Sequence, residues 1–152
     1  MTSARQLSHM ELALVQARAA AERGEVPVGA VLVGPDGAII AAAGNATRRD
    51  NDPTAHAEMI VLRAGAAKLG AERLTGCDLY VTLEPCAMCA AAISFARIRR
   101  LYFGASDPKG GGVEHGARFF TQPTCHHVPE VYGGIADDEA GRLLKDFFGM
   151  RR

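Results

Sequence analysis

Residues 78–89 read "DLYVTLEPCAMC". The first seven, "DLYVTLE", have the apolar and β-branched content of a buried strand. From Cys86 to Ala96 the chain reads as a short helix, and Pro85 suits the start of one. A strand running straight into a helix is the repeating unit of an α/β sheet, so this stretch sets the expected fold class.

The pattern extends in both directions. Residues 7–23 read as an amphipathic helix, with Leu7, Met10, Leu14 and Ala17 at helical spacing and Gly24 as its stop. "VPVGAVLVG" (26–34) suits a buried strand, "GPDG" (34–37) a turn, and "AIIAAAG" (38–44) the return strand of a hairpin. Residues 45–54 are polar and irregular, helical spacing returns over 55–69, and Gly70 is a plausible cap. On the C-terminal side come a strand "RLYFGA" (100–105), a glycine-rich loop (105–127) and a last strand in "VPEVYGG" (128–134). A helix from Asp137 to Met150 closes the chain, its first turn acidic as the helix dipole favours. The expected architecture is a three-layer α/β/α sandwich with a mixed central sheet of about five strands, one domain over residues 1–152.

Composition narrows the function. The 152 residues are 48% hydrophobic and 22% charged, ordinary for a soluble globular protein. No apolar run reaches the roughly 18 residues of a membrane span, and no signal-peptide core is visible, so a cytoplasmic protein is expected. Seventeen basic residues balance seventeen acidic ones, which argues against a simple basic nucleic-acid binder. Arg97, Arg99, Arg100, Lys109, Arg151 and Arg152 nevertheless form local positive clusters that could hold a small folded RNA. Four cysteines without a secreted context point to metal or redox chemistry rather than disulfides.

Cys86 and Cys89 stand three apart, so a helix brings both sulfurs to one face. A helix N-terminus eases their deprotonation, and two thiolates chelate a borderline cation such as zinc. The third donor is found in "TAHAEM" (54–59), where His56 opens the preceding helix. If the strands before the two helices run in the same direction, both helix starts open at one sheet edge, where α/β folds place their sites. One histidine and two cysteines leave a fourth position open, the catalytic zinc pattern rather than the structural one. Such an ion acidifies its water. Glu58, not needed as a ligand, is placed to take that proton and hand it on. Neither HxE nor CxxC is specific alone; together, each opening a helix, they form the signature of zinc deaminases of nucleobases. Cys125, His126 or His127 could instead close the set as a fourth ligand, although "CHH" is better read as ordinary loop. Cys77 reads as a buried small residue.

The zinc set selects a reaction, hydrolytic removal of an exocyclic amine, but not a base. Here the strings "GEVPVGAVLV", "NDPTAHAEM", "LYVTLEPCAMC", "ARIRRLYFGASDPKGG" and "DFFGMRR" matter. Together they resemble the bacterial tRNA-specific adenosine deaminases, members of the cytidine/deoxycytidylate deaminase superfamily. The resemblance implies a homodimer with one zinc per subunit that converts the wobble adenosine of a tRNA anticodon stem-loop to inosine. It implies zinc ligation by His56, Cys86 and Cys89 and proton shuttling by Glu58. It also implies a hydrogen bond from Asn45 to the target nucleotide and an apolar wall at Val28. Asp107 and Lys109 fall in a loop meeting neighbouring nucleotides, and Phe147 and Phe148 match an aromatic pair near the RNA-binding end. The loop at 110–127 matches least. Two rival readings remain: a deaminase of a free base or nucleoside (guanine, cytosine or cytidine), and a non-catalytic zinc module.

Overall fold

The computed structural model describes residues 8–149. Its elements are α1 (His9–Glu22), β1 (Gly29–Val33), β2 (Ile39–Gly44), α2 (Ala57–Leu69), β3 (Asp78–Leu83), α3 (Ala87–Phe95), β4 (Arg100–Ala105), β5 (Glu130–Tyr132) and α4 (Asp137–Gly149), with a short 3-10 turn at Phe119–Thr121. Leu7, Met150, Arg151 and Arg152, which figure in the sequence reading, lie outside the described residues. Helix α1 begins at His9 because Ser8 caps it. The Ser8 hydroxyl accepts the Glu11 backbone N–H at 3.1 Å, and the Glu11 carboxylate accepts the Ser8 N–H at 2.9 Å. This reciprocal capping box satisfies two otherwise orphaned donors.

The five strands are ordered β2-β1-β3-β4-β5. Strand β1 is antiparallel to both β2 and β3, and β4 is parallel to β3 and β5. Every residue of β1 is buried, and its side chains divide between two faces. Ala30 and Leu32 join a core with Val61 and Leu62 of α2 and Ile93 of α3, whereas Val31 and Val33 join Met10 and Ala13 of α1. Leu14 of α1 meets Ala140 of α4 on that second face. The sheet is therefore covered on both sides, α2 and α3 on one and α1 and α4 on the other, which gives the expected three layers. Full burial of Leu79, Leu101 and Phe103 contributes roughly 1.5–3 kcal/mol each.

Two glycines let α1 lie directly on the hairpin. Gly29 and Gly44 are register partners across β1 and β2. A Cβ on Gly29 would fall 2.0 Å from the Ala13 carbonyl oxygen, and one on Gly44 would fall 2.6 Å from that of Gln16. On the same face Tyr80, Tyr102 and Tyr132, also register partners, stack across β3, β4 and β5 at 4.4 and 5.0 Å. Such cross-strand aromatic pairs pin the register of the short β5.

The topology also positions the site. Since β2 and β3 are each antiparallel to the strand between them, they run in the same direction. The condition set by the sequence is met: α2 and α3 both start beyond the same edge of the sheet.

Candidate active site

His56 is the N-cap of α2 and Cys86 the N-cap of α3, both with extended backbone. Neither side chain caps its own helix, which frees both to meet between the two helix starts. Cys86 thus sits just ahead of the helix rather than inside it, and Pro85 precedes the cap instead of opening the first turn. His56 Nδ1 lies 3.6 Å from Cys86 Sγ and 3.4 Å from Cys89 Sγ. All three donor atoms fall within 4.8 Å of one another. A tetrahedral zinc with bonds of about 2.0–2.3 Å sets its donors roughly 3.3–3.8 Å apart, so the set fits the ion in both spacing and donor type. The alternative fourth ligands have other partners. Cys125 Sγ bonds the His127 carbonyl at 3.2 Å, the His127 ring is 2.7 Å from the Ile98 carbonyl, and His126 is exposed. Cys77 is buried as expected.

The two neighbouring thiols are pushed in opposite directions. The hydrogen bond from Cys89 holds Cys86 down to about 4, against burial and with help from His56. The same hydrogen bond, with burial and the Glu58 charge, pushes Cys89 far up. His56 is raised, chiefly by its hydrogen bond to Cys86. Glu58, in the first turn of α2, is only 3% exposed. Burial pushes its carboxyl up to about 7, against the pull of its own backbone N–H and of His56.

A cavity of about 290 Å³ opens onto these groups, near the low end for small-molecule sites. Val26, Val28 and Leu83 give it an apolar wall; Asn45 and Asp107 line it with His56, Glu58 and Cys86. Asn45 Oδ1 accepts the Ala57 backbone N–H at 2.8 Å, which leaves its NH2 group as the donor facing the cavity. Lys109 is exposed on the Asp107 loop and does not line the cavity. Phe148, 53% exposed on α4 and edge-on to Phe147 at 5.4 Å, lies outside it as well.

Two buried carboxylates that the sequence reading passed over hold the loops of the cavity rim. Glu25 accepts the N–H groups of Arg48 (3.2 Å) and Arg49 (2.9 Å) and the Thr47 hydroxyl (3.4 Å), fixing the loop that follows Asn45. Glu84 accepts four backbone N–H groups and the His115 ring from the loop that begins at Asp107. Burial alone would raise the Glu84 carboxyl; the Asp107 N–H, His115 and the Glu114 and Val113 N–H groups outweigh it and hold the carboxyl below its ordinary range. The only sequence signals were "GEV" and "LEP", an acidic residue just ahead of one apolar run and one just after another. Their partners are main-chain donors, which leave no mark on residue identity.

A sheet of this topology, carrying a His-Cys-Cys group at two helix starts beside a buried glutamate, defines a zinc-dependent deaminase. Residues 3–105 match the cytidine and deoxycytidylate deaminase zinc-binding region, and the chain belongs to that family. Within it, the chain is 66% identical over 143 residues to the tRNA-specific adenosine deaminase of Agrobacterium fabrum, covering 94% of this chain and 93% of that one. A solved structure from studies of A-to-I editing by tRNA:A34 deaminases at the wobble position of transfer RNA superposes with a TM-score of 0.88. It is 68% identical and covers 90% of this chain and 98% of its own. The guanine deaminase of Bacillus subtilis superposes at 0.65 with 32% identity, over 94% of this chain and 91% of its own.

Proposed function

We propose that this protein deaminates the wobble adenosine of a tRNA anticodon loop, yielding inosine and ammonia. The observation that carries the chemistry is Glu58, a carboxylate buried beside three metal donors that do not need it as a ligand. The relatives at 66% and 68% identity, both tRNA deaminases by name, support the substrate.

His56, Cys86 and Cys89 would hold one zinc per subunit, and a bound zinc supplies Lewis-acid activation of water at neutral pH. The rest falls to the chain. Val26, Val28 and Leu83 pack on an unstacked base, which an anticodon loop offers at little cost. The Asn45 amide donates to the nucleotide and fixes its depth. Glu58 takes a proton from the attacking water and delivers it to ring N1, while the water oxygen bonds to C6. Glu58 then carries the second proton to the amine, the C6–N bond breaks, and ammonia leaves. Burial raises this carboxyl from its ordinary range toward the pH at which a group both accepts and donates.

Further features support a polynucleotide and an assembly. The loops supplying Asn45 and Asp107 expose Arg48, Arg49, Lys109 and Arg118 among Asp50, Asp52, Asp107 and Glu114, so the rim offers cations for phosphate contacts without a net positive charge. We also read the protein as a homodimer. Phe95 is 69% exposed beside Leu62, Ala66 and Ala92 in a shallow hollow of about 410 Å³ between α2 and α3. Four free cysteines suit the reducing cytoplasm. Among the described residues, no helix is long and apolar enough to cross a membrane.

The deciding assay offers zinc-loaded protein an anticodon stem-loop with a wobble adenosine, beside free adenosine, cytidine, cytosine and guanine. Inosine at the wobble position alone is the expected result. The likeness to guanine deaminase makes guanine the second reading; turnover of guanine with unchanged RNA would replace the proposed substrate.

A further inference from the structure

Glu84 is the most heavily bonded side chain near the cavity, yet no step of the reaction uses it. Its side chain is fully buried at the end of β3, two residues before Cys86. One oxygen, Oε2, accepts three consecutive backbone N–H groups, from Val113 (3.1 Å), Glu114 (2.9 Å) and His115 (3.1 Å). Successive main-chain donors converging on one point form an anion nest, and here the anion comes from the chain itself. The other oxygen, Oε1, accepts the Asp107 N–H at 3.0 Å and the His115 ring at 2.8 Å. Because a carboxylate only accepts, Nδ1 of His115 must carry the proton.

The glycines around it leave room for nothing else. A Cβ on Gly111 would fall 2.3 Å from Glu84 Oε2, and one on Gly112 would fall 2.5 Å from the Ala87 backbone nitrogen. The loop is thus pressed onto the start of α3 and clasped by one carboxylate. The two loop residues that line the cavity, Asp107 and Gly110, sit at the Oε1 end of that clasp. Asp107 Oδ1 in turn accepts the N–H groups of Lys109 and Gly110, so a shift of the Asp107 backbone moves the whole lip.

We infer that Glu84 is a positioning residue for substrate: it clasps the 107–115 loop so that Asp107 and Gly110 stand at the cavity mouth. The inference rests on the polynucleotide reading for its substrate, but the clasp itself can be tested without it.

The variant E84Q separates the two ends. A glutamine has one acceptor oxygen. If that oxygen keeps the three N–H groups of the nest, the amide NH2 faces the Asp107 N–H and the His115 ring. The ring can answer with its other tautomer; the Asp107 N–H cannot. G111A pushes a methyl against the Glu84 carboxylate and opens the clasp from the loop side, without changing the carboxylate's chemistry. Both variants should retain zinc by elemental analysis. Both should raise KM for the wobble-adenosine stem-loop by about tenfold while kcat stays within about threefold, the signature of lost binding rather than lost chemistry. By hydrogen exchange, the Asp107 amide should lose protection in E84Q while those of residues 113–115 keep theirs. Unchanged KM in both variants, or zinc loss with a collapse of kcat, would overturn the inference and make Glu84 a support for Cys86 alone. If the wild-type enzyme leaves the stem-loop untouched, the substrate reading fails on its own. The same comparison is then made on whichever substrate it does turn over, and amide exchange decides the clasp.

Discussion

The Asn45 side-chain oxygen accepts the backbone N–H of Ala57 at 2.8 Å, and Ala57 stands between His56 and Glu58. One hydrogen bond therefore fixes the helix start that carries both the proposed metal donor His56 and the proposed proton carrier Glu58. Asn45 has two separable duties, an acceptor facing the helix and a donor facing the cavity. Asn45→Ala strands a buried N–H and should cost about 1–3 kcal/mol, read as a lower Tm, along with activity. Asn45→Asp keeps the acceptor and adds charge that a helix N-terminus favours, so its Tm should stay close to wild type. It removes the donor, so KM should rise. Wild-type KM in the aspartate variant would remove the nucleotide role and leave Asn45 as a cap.

Glu58 and the cysteines should fail in different ways. Glu58→Gln keeps the shape, relieves a buried charge and replaces none of the three donors, although the side chain it alters is hydrogen-bonded to Cys89. Because a glutamine oxygen can still face the Cys89 thiol, it should keep full zinc and an equal or higher Tm, with kcat down by a factor of about 10²–10⁴, the range of a lost general acid–base. Cys86→Ala should lose zinc with activity, and Tm should fall because a bound ion would tie the starts of α2 and α3 together. Elemental analysis beside the rate separates the two cases. Zinc-free Glu58→Gln would make the glutamate a ligand, and zinc-replete Cys86→Ala would exclude that thiol from the set.

The candidate metal donors were legible as a group because their placement is local: His56 and Cys86 each open a helix, and the short motifs announce it. Strand order was less so. That β1 inserts between β2 and β3, making those two co-directional, follows from tertiary packing and not from either strand's composition. The loop at 105–127 looked formless because its order comes from backbone donors gathered by Glu84, a residue more than twenty positions away. Glu25 was hidden for the same reason. In both cases a carboxylate does the work of a strand partner, and nothing in the loop's own residues records it.

Glu25 gives a pH prediction away from the metal. Burial pushes its carboxyl up from the ordinary value of 4.5, but the N–H groups of Arg49 and Arg48, the Thr47 hydroxyl and the Arg23 charge together bring it below. A carboxyl depressed in the folded state adds stability that is complete above its unfolded value and fades as pH falls through the folded one. Wild-type Tm should therefore drop on acidification below about pH 4.5. Glu25→Gln should start lower at pH 7 and show a shallower acid slope. Parallel Tm–pH curves for the two proteins would place the acid sensitivity elsewhere.

Phe95 carries the last prediction. It ends α3 with 69% of its surface exposed, next to Ala92 and the α2 residues Leu62 and Ala66. A large aromatic left open beside Leu62 and three alanines, with Arg63 and Glu72 lining the same hollow, has the mixed apolar and charged composition of a contact surface. Helix α3 also bears Cys89 in its first turn, so an assembly at its far end would brace the metal group. Phe95→Glu places a charge in the patch without touching the core, where Ile93 and Ala90 remain buried. By sedimentation the wild-type protein should be a dimer and this variant a monomer. The variant monomer should fold, with a Tm that no longer depends on protein concentration. A wild-type monomer, or a variant that dimerises as tightly as wild type, would move the interface off this face.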